Sequence, residues 1–158
     1  MRRDQKAILI TSHLREPRAA CYATLKSLMP VDGMGPYFDR TIKDHHKSVF
    51  IKKDILINYR FNLCPENSIY PGYVTEKIPE AFAAGCLPIT MVDNSVGVDF
   101  NPNAMINLAA TGDINLEWLN AQLSAKALQK YSEQPLLLRK IYLEDAKTFI
   151  GEIVSEVV

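Results

Sequence analysis

The chain has 158 residues, 18 Lys+Arg against 18 Asp+Glu, and 47% hydrophobic to 23% charged residues. Length and composition describe one globular domain able to bury a real core. The zero formal net charge argues against a duplex nucleic-acid partner, which selects a basic excess. With no apolar run near the roughly 20 residues that span a bilayer, no transmembrane segment is expected.

The first six residues (MRRDQK) are basic, but the apolar run that follows is too short for a signal-peptide core. Residues 7–12 (AILITS) are continuously apolar and then turn polar, as a buried parallel strand does at its carboxyl end. A polar loop over 13–18 leads to Pro17, which suits the first turn of a helix running to about Met29, with Ala20, Leu25 and Leu28 on its apolar face. Pro30 stops it. Residues 31–36 (VDGMGP) read as a brief strand entering a glycine turn, and 37–48 are polar without a clear pattern. Apolar spacing over 49–59 favours a helix over a strand.

The stretch 59–100 organises the rest. Residues 60–64 form a short apolar strand, 65–73 a loop rich in Pro, Asn, Ser and Gly, and 74–84 a helix stopped by Gly85. Residues 87–92 form a second apolar strand ending in Asp93-Asn94. Further on, 96–100 read as a helical turn and 104–108 as a short edge strand. One amphipathic helix is expected over 113–134, with Leu116, Leu119, Leu123 and Leu128 inward and Trp118 in the core nearby. Another is expected from Pro135 to the end, with Leu138, Ile141, Tyr142, Ala146, Phe149, Ile150 and Ile153 at helical spacing. Strands alternating with helices predict an α/β domain with an open, mostly parallel, Rossmann-like sheet.

In such a sheet ligands bind outside the carboxyl ends of the strands. Glu66, Asn67, Ser68, Tyr73, Thr75, Glu76 and Lys77 fall in that crevice. Lys77 in the first turn of a helix makes an anion site suited to phosphate; spacing alone fits a solvated surface lysine at least as well. Glu76 fits a sugar hydroxyl or a favourable place on the helix dipole. Glu66-Asn67-Ser68 follow a buried strand directly, although Asn and Ser are also ordinary turn residues. Arg15 and Arg18 flank Pro17 beyond the first strand, where an arginine can grip a diphosphate in bidentate fashion. Taken singly, each is more often a surface charge. His13, His45 and His46 make no metal-ligand set with nearby carboxylates, and the widely spaced Cys21, Cys64 and Cys86 read as buried free thiols. No GxSxG, P-loop or GxGxxG is present.

The segments NYRFNLCPENS, GYVTEKIPEAFAAGCLPI and DFNPNAMIN resemble the donor-binding half of glycosyltransferase family 10, the α1,3/α1,4-fucosyltransferases. Tyr73-Val74-Thr75-Glu76-Lys77 and Glu66-Asn67-Ser68 match the family pattern intact. Pro17-Arg18, Tyr22, the Val31-Asp32-Gly33 turn and Gly35 are similar to its upstream part, so the likeness runs over about residues 7–107. The resemblance implies one half of a GT-B fold in an inverting enzyme that needs no metal or other cofactor and uses GDP-fucose as donor. It puts Arg18 and Lys77 on the diphosphate and Glu76 at the fucose or ribose, steadying an oxocarbenium-like centre. Glu66, Asn67, Ser68, Tyr73, Val74 and Thr75 line the donor pocket.

Two local departures stand out: Pro65 replaces the family's aromatic residue, and the strand after Pro88 reads ITMVDNS in place of a glycine-containing turn. The family's N-terminal acceptor domain, with its general-base glutamate and its glycan acceptor, has no counterpart in these residues. The expectation is a single donor-binding domain over 1–158, inefficient in transfer by itself. Two alternatives stay open: a non-catalytic nucleotide-sugar-binding module, and a GT-B transferase using another nucleotide sugar. The expected setting is the bacterial cytoplasm, with a peripheral place at the inner membrane left open.

Overall fold

The computed structural model describes residues 4–39, 48–138 and 147–148. Five strands make one sheet: β1 (Asp4–Ile10), β2 (Val31–Met34), β3 (Tyr59–Leu63), β4 (Leu87–Thr90) and β5 (Ile106–Asn107). Their spatial order is β2-β1-β3-β4-β5, and every ladder is parallel. The helices are α1 (Arg18–Leu28), α2 (Ser48–Leu56), α3 (Lys77–Ala83), α4 (Leu116–Gln122) and α5 (Ala125–Ser132). This is the open parallel α/β sheet flanked by helices that the sequence predicts.

Both faces of the sheet are covered, and β1 is accordingly apolar on successive residues, Ala7 to Ile10, while Asn62 of β3 and Thr90 of β4 are buried polar residues. Ala7 and Leu9 of β1 and Phe61 and Leu63 of β3 pack with Cys21 and Leu25 of α1, Leu119 of α4 and Leu128 of α5. Ile8, one residue out of phase, joins Leu56, Ala81 and Ala84 on the opposite face. The three cysteines are free thiols and all are buried. Burial pushes the Cys21 thiol up to about 12, so it is neutral and unreactive at physiological pH.

The strand order decides where a ligand can sit. From β1 the chain steps outward to β2, then returns past β1 to β3 and continues to β4 and β5. The direction of winding reverses between β1 and β3, and the loops leaving those neighbours part there to open a crevice. Thr11 and His13 follow β1; Pro65, Glu66 and Asn67 follow β3.

The structure corrects the sequence reading in three places. The helix expected over 74–84 starts at Lys77. Ahead of it the Val74 N–H donates to the Gly72 carbonyl at 3.1 Å and the Thr75 N–H to Glu66 Oε1 at 2.8 Å, which holds these residues as the end of the loop. Its predicted stop holds: Gly85 takes φ 73°, and its N–H donates to the Phe82 carbonyl. The helix expected over 113–134 divides into α4 and α5. Asn115 caps the first through the Trp118 N–H, and Ser124 caps the second through the Ala127 N–H. With the break, Leu116 is exposed rather than inward, while Leu119 and Leu128 remain buried. The described residues 135–138 are not helical, and the rest of the helix expected from Pro135 lies outside the described residues. So do His45 and His46.

Candidate active site

A cleft of about 190 Å³ opens at the carboxyl ends of β1 and β3, where the winding reverses. Arg18, Asn67, Glu76 and Lys77 line it, together with His13 and Lys52. These residues come from α1, α2, α3 and the loops after β1 and β3, and the sheet topology brings them together.

Arg18 opens α1 and is only 5% exposed. Its Nη1 donates to Thr11 Oγ1 at 2.6 Å and to the His13 carbonyl at 3.1 Å, with His13 Nδ1 at 3.3 Å. Its Nη2 donates to Asn67 Oδ1. All these partners are neutral, so the guanidinium is fixed in place without its charge being cancelled. Burial lowers its pKa, and the Glu66 charge opposes that shift; an arginine remains protonated regardless.

Lys77, at the start of α3, is held differently. Its ammonium lies 2.7 Å from Glu66 Oε2 and 2.6 Å from Thr75 Oγ1. Glu66 is fully buried, and its other oxygen accepts from both the Thr75 N–H and the Thr75 hydroxyl at 2.8 and 2.7 Å. A buried carboxylate needs such compensation, because desolvation of an unpaired charge costs several kcal/mol. Glu76 is exposed, with Oε1 3.9 Å from Lys77 Nζ. Burial raises its pKa, but its own backbone N–H, the Lys77 charge and the Thr75 hydroxyl outweigh that and leave it lowered. Glu76 is therefore a carboxylate near neutral pH.

The remaining sequence candidates sit around this cleft. Thr75 and Glu66 lie behind Lys77 and spend their polar groups on it and on each other. Ser68 is exposed in the loop beyond Asn67. Tyr73 stacks on Tyr70, ring centroids 4.8 Å apart, and Val74 packs half-buried against the cluster of Ile78, Val92, Val96 and Met105. Ser68, Tyr73 and Val74 are outside the cleft lining, as is Arg15, which is exposed. Sequence reasoning passed over Thr11 and Lys52. Thr11 carried a usable signal, since it is the first polar residue after the β1 apolar run. Lys52 carried none. Among the described residues, no group of three or more His, Cys, Asp or Glu side chains could hold a metal ion.

The model of glycosyltransferase family 10 (fucosyltransferase), C-terminal part, matches residues 1–111. The chain belongs to that family. The family member alpha-(1,3)-fucosyltransferase FucT of Helicobacter pylori is 39% identical over 103 residues, 65% of this chain and 21% of that protein. A solved structure of an alpha1,3-fucosyltransferase with GDP-fucose is similar with a TM-score of 0.74 at 26% identity, covering 94% of this chain and 47% of that one. Another, an alpha1,3-fucosyltransferase with GDP, gives 0.73 at 25% identity, covering 97% and 47%. The chain thus spans about half the length of these solved fucosyltransferases and about a fifth of the curated relative. Among the described residues, no helix is long and apolar enough to cross a membrane.

Proposed function

We propose that this chain is the donor-binding domain of a family 10 fucosyltransferase, holding GDP-fucose in the cleft between β1 and β3. One observation carries the reading: Arg18 and Lys77, from separate helices, meet at the switch point of the sheet. Two fixed cations suit the diphosphate of a nucleotide sugar, whose leaving GDP gathers negative charge as the glycosidic bond breaks. Asn67 fixes Arg18, and Glu66 with Thr75 fixes Lys77, so little reorganisation is needed when that charge develops. Glu76, ionised at the cleft, is placed to steady the electron-poor sugar carbon. Ser68 and Tyr73, in the loop beyond Asn67, are the nearest further groups for the donor, and Val74 anchors that loop to the core.

Transfer on this reading inverts the sugar by direct displacement and needs no metal. A second domain, which the chain's half-length match to the solved structures supports, binds the glycan acceptor and supplies the base that deprotonates it. The isolated chain then binds donor but transfers poorly. The names of the relatives favour an α1,3 linkage. A cytoplasmic setting, where thiols stay reduced, suits the three free cysteines.

Calorimetric titration with GDP, GDP-fucose, GDP-mannose and UDP sugars, without added metal, tests the reading. Selective binding of GDP and GDP-fucose is expected. Equal or stronger binding of UDP sugars, or no guanine-nucleotide binding by a folded chain, overturns it.

His13 adds a pH signature. Burial holds its imidazole below the ordinary value, and the Arg18 and Arg15 charges push the same way. A diphosphate in the cleft pulls the pKa back up, so binding takes up a proton. GDP-fucose affinity should therefore rise as pH falls below the ordinary histidine value of about 6.5, by about tenfold at most. GDP-fucose is the ligand of choice because its esterified diphosphate does not titrate there. His13→Asn should flatten the profile. The same depressed pKa acts oppositely on the free fold: its contribution to stability is full above about 6.5 and is lost as pH falls.

A further inference from the structure

The cleft holds one more cation than the sequence reading supplied. Lys52 projects from α2, on the far side of the sheet's midline from α1, and lines the same cleft as Arg18 and Lys77. Its ammonium pairs with Glu80 of α3, and the two side chains keep 20% and 25% of their exposure. Its charge also bears on Glu76 and on Cys64 at the end of β3. Lys52 therefore sits beside the α3 start, next to the position assigned to the diphosphate.

Each lysine of the cleft already has a carboxylate, Glu66 for Lys77 and Glu80 for Lys52. The two lysines are equally exposed, and the pairs differ in the depth of the carboxylate. Glu66 is fully buried, whereas Glu80 keeps a quarter of its exposure, so water can take over part of its solvation when Lys52 turns to another anion. A multiply charged anion entering the cleft can thus share Lys52 at small cost, and three cations from three helices surround it. Resting on the donor reading above, we propose that Lys52 is a further donor-binding residue, contacting the diphosphate of the nucleotide sugar from the α2 side.

The competing role is a structural tie between α2 and α3, and Glu80 separates the two. Removing either partner cuts the tie, but only Lys52 reaches the ligand. GDP titrations would compare the unaltered chain with Lys52→Met, Lys52→Arg and Glu80→Gln, each checked for folding by circular dichroism. The expected result is about tenfold weaker GDP binding for Lys52→Met, the scale of one charge-assisted hydrogen bond, with a shallower salt dependence. Lys52→Arg should recover most of it. Glu80→Gln should bind GDP more tightly than the unaltered chain, since it frees the ammonium. Equal weakening by Lys52→Met and Glu80→Gln, or unchanged binding by Lys52→Met, overturns the proposal while the donor reading stands. If Lys52→Met does not fold, Glu80→Gln decides: tighter binding supports the proposal, and equal or weaker binding overturns it. Failure of the unaltered chain to bind GDP removes the donor reading itself, and this proposal with it.

Discussion

Arg18→Ala is expected to weaken GDP binding by about a hundredfold, the largest effect of any single change at the cleft, and Arg18→Lys should restore little of it. A count of donors gives the reason. A guanidinium has five N–H groups. Thr11 and His13 occupy both protons on Nη1, and Asn67 takes one on Nη2. Among the described contacts that leaves the second Nη2 proton and the Nε proton, a pair with the geometry to engage two phosphate oxygens at once. Lysine can neither keep the three anchoring bonds nor present such a fork. The hydrogen-bond partners of Arg18 are all neutral and Glu66 acts on it only without direct contact, whereas Lys77 is paired with Glu66 at 2.7 Å. Lys77→Ala should consequently cost less, about tenfold. The order of the two effects in parallel calorimetric titrations is the check; a larger loss for Lys77→Ala would show that the buried Glu66 does not screen its partner.

The parts of this site that were legible in the sequence follow from strand logic. Apolar runs marked β1, β3 and β4, and the polar residues just after them had to lie at the carboxyl edge. Arg18, Asn67, Glu76 and Lys77 duly come together there. Side-chain direction was not legible. Glu66 occupies an equally polar position, yet it turns inward as the buried counter-charge for Lys77. The start of α3 was hidden for the same reason: composition groups Val74 to Glu76 with the helix, whereas in the fold Val74 bonds back to Gly72 and Thr75 to the distant Glu66. Lys52 is one of two adjacent lysines on α2, and which of them faces a cleft depends on how the helix docks. The break between α4 and α5 is a different case. Asn115 and Ser124 are good N-cap residues in plain view, but leucine spacing across them suggested one continuous helix.

The turn after β2 couples the fold to the site, and Gly35→Ala tests that coupling. Gly35 has φ 96°, a conformation that L side chains rarely adopt, and a Cβ there would lie 2.7 Å from the Thr11 carbonyl oxygen and 3.1 Å from its nitrogen. The obstacle is backbone and cannot rotate aside. Thr11 is bound to this turn on both sides, its N–H donating to the Met34 carbonyl at 2.9 Å and its carbonyl accepting from the Tyr37 N–H at 3.2 Å. Strain and displacement together should cost about 2–4 kcal/mol, lowering the melting temperature by roughly 10 °C in a chain of this size. Because the Thr11 hydroxyl anchors Arg18, the molecules that still fold should also bind GDP several-fold more weakly. Gly72→Ala is the control. Its φ of 76° carries similar conformational strain, but nothing lies within 4 Å of a Cβ there, so about 1 kcal/mol is expected. Equal losses of melting temperature in the two variants would mean that the close approach to Thr11 contributes nothing. A large loss in Gly35→Ala with unchanged GDP affinity would mean that Thr11 does not set the position of Arg18.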